Sequence, residues 1–99
     1  MVYYVAHAYQ GNKENVEKAT KITHDLQLTD LENTYICPLN MFSHLGYNEI
    51  GYEEEMQLCL DVLSLCDKLI VASYITEGVS REIEFAELVG MEVEYLSDA

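Results

Sequence analysis

The chain has 99 residues, 49% of them hydrophobic, with 18 Asp and Glu against 5 Lys and Arg and a formal net charge of −13. That length and apolar content suit a single domain over residues 1–99 with one core, and a second domain within them is not expected. The charge repels polyanions over most of the surface, so nucleic acid is not an expected partner.

Val2 to Ala6 is apolar, β-branched and aromatic without clean alternation, as in a strand covered on both faces of a parallel sheet. After Gln10-Gly11-Asn12, the apolar positions Val16, Ala19, Ile22, Leu26 and Leu28 recur at helical spacing, with Asn12 as the expected N-cap. Thr34 to Cys37 reads as a second strand, stopped by Pro38, which has no amide to donate. Leu39 to Gly51 reads as a loop, long enough to carry function. A helix starts near Tyr52, where Glu53, Glu54 and Glu55 complement its dipole. Lys68 to Ala72 is the third strand, Val79 to Val89 a helix closed by Gly90, and Met91 to Leu96 the fourth strand.

This βαβαβαβ order predicts a small doubly wound α/β fold, Rossmann- or flavodoxin-like, with about four parallel strands and helices on both faces. Ligands in such sheets bind beyond the carboxyl ends of the strands, where strand order reverses. The expected site lining is therefore Ala6 to Gly11, Cys37 to His44 and Ser73 to Glu82. No stretch approaches the roughly 20 apolar residues that span a bilayer, and MVYYVAHAYQG lacks the basic and apolar regions of a signal peptide, so the expected location is cytoplasmic, away from membranes. Cys37, Cys59 and Cys66 lack paired spacing, so neither a disulfide nor a metal is expected, and all three read as buried small hydrophobes.

Three segments share a wider pattern. Asp67-Lys68-Leu69-Ile70-Val71, Glu77-Gly78-Val79-Ser80-Arg81-Glu82-Ile83-Glu84-Phe85-Ala86 and Gly90-Met91-Glu92-Val93 together resemble the nucleoside 2-deoxyribosyltransferases and the related small proteins often found in phage genomes. Val2-Tyr3-Tyr4-Val5-Ala6, and Asp30 to Asn40, are similar to that family's first strand and to its second strand and loop. The resemblance implies that Glu82 is the nucleophile and that Tyr3 hydrogen-bonds and orients it. A carboxylate of this kind attacks the anomeric carbon of a nucleoside and gives a glycosyl ester, which another base or water resolves, without a cofactor. A place in the first turn of a helix favours the ionised form of Glu82. Where the family carries an aspartate that places the sugar or protonates the leaving base, this chain has Cys59; Asp61 lies about 200° around the helix from it. His7-Ala8-Tyr9 replaces a small Gly-rich turn, and His7 is a candidate substitute proton donor.

The expected ligand contacts are Ala6, His7, Tyr9, Gly11, Asn40, Phe42, Gly78, Val79, Ser80 and Arg81. The amides of Gly78 to Arg81, with the Arg81 charge, offer an anion site at a helix start and favour a nucleotide over a nucleoside. Tyr4, Tyr9, Phe42 and Tyr47 are candidates to stack on a base, His44 to contact one, and His24 reads as a surface residue. So short a chain leaves little material for a closed pocket, and a homo-oligomer is expected to supply the missing wall. The expected function is N-glycosidic cleavage or deoxyribosyl transfer on a nucleoside or nucleotide. Its alternative is binding without chemistry, as in a phage protein that sequesters a host signalling nucleotide; a third reading is an acidic interaction module.

Overall fold

The computed structural model describes residues 1–42, 45 and 49–96. Eight elements follow one another: β1 (Val2–Ala6), α1 (Lys13–Thr29), β2 (Thr34–Ile36), α2 (Pro38–Met41), α3 (Tyr52–Leu63), β3 (Lys68–Val71), α4 (Glu77–Leu88) and β4 (Glu92–Tyr95). The four strands form one all-parallel sheet in the order β2-β1-β3-β4. The fold is the expected small Rossmann-like α/β domain.

Local chemistry sets the helix ends. Asn12 Oδ1 accepts from the Glu14 amide at 2.8 Å and caps α1 as its side chain predicts. Leu28 departs from the expected stripe and is exposed in the last turn of α1. Pro38 opens the short helix α2, which runs into the segment read as loop: its fixed φ suits a first helical position, where no amide is needed. The Thr76 hydroxyl accepts from the Val79 amide, so α4 begins at Glu77, two residues before the expected start. Gly90, at φ +74°, ends it in the left-handed conformation that only glycine adopts without strain.

Alternation along β1 divides the core. Tyr4 and Ala6 pack with Leu63, Leu69, Val71, Val79, Ile83 and Ala86 under α3 and α4, whereas Val5 packs with Ala19, Cys37 and Ala72 under α1 and α2. The path explains the two layers. From β1 the chain steps outward to β2, then crosses back over β1 to β3 and on to β4, so crossovers of one hand put α1 on one face and α3 and α4 on the other. The direction reverses between β1 and β3, whose last residues Ala6 and Val71 are in register. Among the described residues, no helix is long and apolar enough to cross a membrane, and no group of three or more His, Cys, Asp or Glu could hold a metal ion.

Leu63 is fully buried between α3 and the sheet, while Leu65 just beyond the helix is 82% exposed. Leu63→Ala is expected to cost about 2–5 kcal/mol of stability in urea unfolding, and Leu65→Ala to stay within about 0.5 kcal/mol of wild type.

Candidate functional site

Glu82 is one of the few buried polar residues, only 7% exposed, on the side of α4 that faces the sheet. Because Thr76 starts the helix early, Glu82 lies in its second turn rather than its first. There the free amides and the dipole no longer favour the anion as its expected position did. Burial instead pushes its pKa up to about 7, opposed by one hydrogen bond. That bond is donated by Tyr4, whose ring is fully buried in the core of the same face.

Tyr3, expected in that role, does not reach Glu82. Successive residues of a strand point to opposite faces, and α4 covers the face of Tyr4. Tyr3 lies edge-on to Tyr35 with ring centroids 5.4 Å apart, under Lys68 Nζ at 4.6 Å, and its hydroxyl is 3.8 Å from Met1 Sδ. The Tyr4 hydroxyl is held well above the usual phenol range by burial and by the neighbouring Glu82 charge. Cys59, on α3, completes the cluster: burial and then Glu82 push its thiol up to about 12, and it interacts with the Tyr4 hydroxyl. It is half-buried and lines a cleft, which corrects its reading as a buried small hydrophobe; Cys66 is also half-buried, and Cys37 is buried as expected. Asp61 is exposed on the other side of α3, where it accepts from Gln57 at 2.7 Å.

The cleft measures about 230 Å³ and opens at the carboxyl ends of β1 and β3, with Glu82 in its wall. Of the expected contacts, Ala6, His7, Tyr9, Gly11, Gly78 and Val79 line it. Phe42 lines an adjoining hollow of about 260 Å³ that shares Tyr9, Leu39 and Cys59 with the cleft. Three expected contacts lie elsewhere. Asn40 donates to Thr20 Oγ1 at 2.7 Å and ties α2 to α1. The early start of α4 places Ser80 inside the helix, its amide bonded to the Thr76 carbonyl at 2.8 Å. Arg81 makes two 3.1 Å bonds to the Glu53 carboxylate, its guanidinium 5.7 Å from the Tyr52 ring centroid, and is not part of the lining. His44 and Tyr47 lie outside the described residues. His24 is exposed on α1, 3.1 Å from Asp25.

The α3 wall, made by Tyr52, Glu55, Met56 and Cys59, was not anticipated as a whole. Its signal was present as an i, i+3, i+4, i+7 face of one helix pointing at the strand ends. Thr76 and Glu77 lie within the expected stretch Ser73 to Glu82 and line the cleft. His7 is buried, with Nδ1 2.8 Å from the Ala8 carbonyl, a contact in which this nitrogen donates. The turn after β1 is held by Ala8 N donating to Ser73 Oγ at 2.8 Å and Asn15 Nδ2 donating to the Tyr9 carbonyl at 3.2 Å. Gln10 and Gly11 then take positive φ values of 52° and 69° at the cleft edge.

A family model described as a domain of unknown function (DUF7768) matches residues 1–96. No curated protein matches the chain.

The raised pKa of Glu82 makes a stability prediction. Between pH 4.5, its ordinary value, and about 7, the folded state retains a proton that the unfolded chain has lost. Its contribution therefore falls as pH rises through that window, and above it the buried charge costs about 3 kcal/mol. Glu82→Gln is expected to raise the melting temperature by several degrees at about pH 8 and to leave it unchanged near pH 4. An equal shift at both pH values would show that ionisation is not the cause.

Proposed function

We propose that this chain, which belongs to the domain family of unknown function DUF7768, cleaves or transfers the N-glycosidic bond of a nucleoside-like substrate, with Glu82 as nucleophile. One observation carries the reading: a carboxylate buried to 7% exposure, bonded to Tyr4, opens onto a cleft at the reversal of strand order. The similarity of the Gly78 to Ala86 segment to the nucleoside 2-deoxyribosyltransferases supports it. Retention of so costly a carboxylate in a small domain is what a reactive group demands rather than what packing needs.

In this reading the ionised Glu82 oxygen attacks the anomeric carbon, the bond to the base breaks, and the resulting ester is taken by water or a second base. Tyr4 holds the carboxylate angle through its hydrogen bond. A cleft of about 230 Å³ suits a compact ligand, and its openness to solvent gives a role to the expected cytoplasmic homo-oligomer. A second reading, capture of a nucleoside-like molecule without turnover, is favoured by the Tyr4 and Cys59 protons, which both groups hold more tightly than usual. Neither group is then an effective acid toward a leaving base.

Glu82→Ala is expected to lower base release by at least about a thousandfold while nucleoside binding stays measurable by calorimetry. For wild type, kcat/KM is expected to rise with pH through about 7 as Glu82 ionises. A fall across that range would assign Glu82 the part of an acid. Thermal stabilisation by nucleosides with no base released would select capture over turnover.

A further inference from the structure

The charged groups of the cleft are of one sign. Among the described residues lining it, Glu55, Glu77 and Glu82 are the formally charged ones, and no Lys or Arg is present; Lys13 lines only the adjoining hollow, which Glu55 lines as well. Arg81, the cation nearest in sequence to Glu82, is turned to Glu53 and held there by two hydrogen bonds. A phosphate in this cleft would face carboxylates without a countercharge, whereas a positive ligand meets complementary charge.

Proton supply points the same way. Expelling a neutral base from an N-glycoside requires a proton on that base, and a positioned acid is worth roughly 10²–10⁴ in rate. Among the described residues, the Tyr4 hydroxyl, already donated to the carboxylate, and the Cys59 thiol are protic side chains that interact with Glu82; the hydroxyls of Tyr9, Tyr52 and Thr76 also border the cleft. His7 has its Nδ1 proton committed to the Ala8 carbonyl. A base that already carries a positive charge needs no such donor, because it departs neutral.

We propose that the cleft takes unphosphorylated nucleosides with a cationic heterocycle, such as N-alkylated purine or pyridinium ribosides. The inference rests on the role of Glu82 as nucleophile. A Glu82 oxygen forms the ester bond to the anomeric carbon as the carbon–nitrogen bond breaks, and the electron pair of that bond neutralises the ring. Water then cleaves the ester, returning the carboxylate and releasing the sugar and a proton. Charge and atoms balance without a further reactant.

The test compares N7-methylguanosine with guanosine, and nicotinamide riboside with its reduced, uncharged form, by chromatography of released base. Each rate is divided by its spontaneous rate, with Glu82→Gln protein as the blank. The cationic member of each pair is expected to exceed the neutral one by about 100-fold or more in this corrected kcat/KM. The phosphorylated forms of the cationic nucleosides are expected to fall at least about tenfold below them. Neutral nucleosides turned over equally well, or phosphorylated forms preferred, would overturn the charge inference and leave the nucleophile standing. Wild-type turnover of every substrate no better than Glu82→Gln would overturn both.

Discussion

One buried carboxylate answered by one hydroxyl organises this molecule. The bond from Tyr4 to Glu82 joins the first strand to the last helix across 78 positions of sequence, inside the core that packs α3 and α4 on the sheet. A glutamate in such a place is costly, since burial strips its charge of water and a single donor returns only part of that loss. In a chain of 99 residues, whose total stability is small, that cost is a large fraction of the whole.

The sheet makes the arrangement possible. Because strand order reverses between β1 and β3, the loops after them diverge to opposite faces and leave a crevice that α3 and the start of α4 wall in. Glu82 borders that crevice from the helix while Tyr4 reaches it from the strand. The clasp between Arg81 and Glu53 joins α4 to α3 beside the opening and places the positive charge outside the lining. It is a partly exposed pair, so its value lies in placement rather than stability.

Much of this was legible in the sequence, and the departures have identifiable physical causes. The strands and long helices followed from apolar periodicity, and Asn12 and Gly90 marked their ends because their side-chain and backbone chemistry is local. Tyr3 and Tyr4 are both aromatic neighbours in one strand, and only tertiary packing decides which face α4 covers; a step of one residue reverses the assignment. Thr76 caps α4 two residues ahead of the expected start, which takes the amides of Ser80 and Arg81 into the helix and Glu82 out of its first turn. Cys59 was recognised as the residue at a chemically important place, but its contact with Tyr4 and Glu82 required the packed helix.

The site turns on Glu82 as a buried carboxylate whose ionisation Tyr4 governs. The most direct measurement is a carbon NMR titration of the side-chain carboxyl of Glu82 in labelled protein, in wild type and Tyr4→Phe. The expected midpoint is near 7 and moves higher when the Tyr4 hydroxyl is removed. A midpoint at the ordinary 4.5, or one that Tyr4→Phe leaves in place, would contradict it.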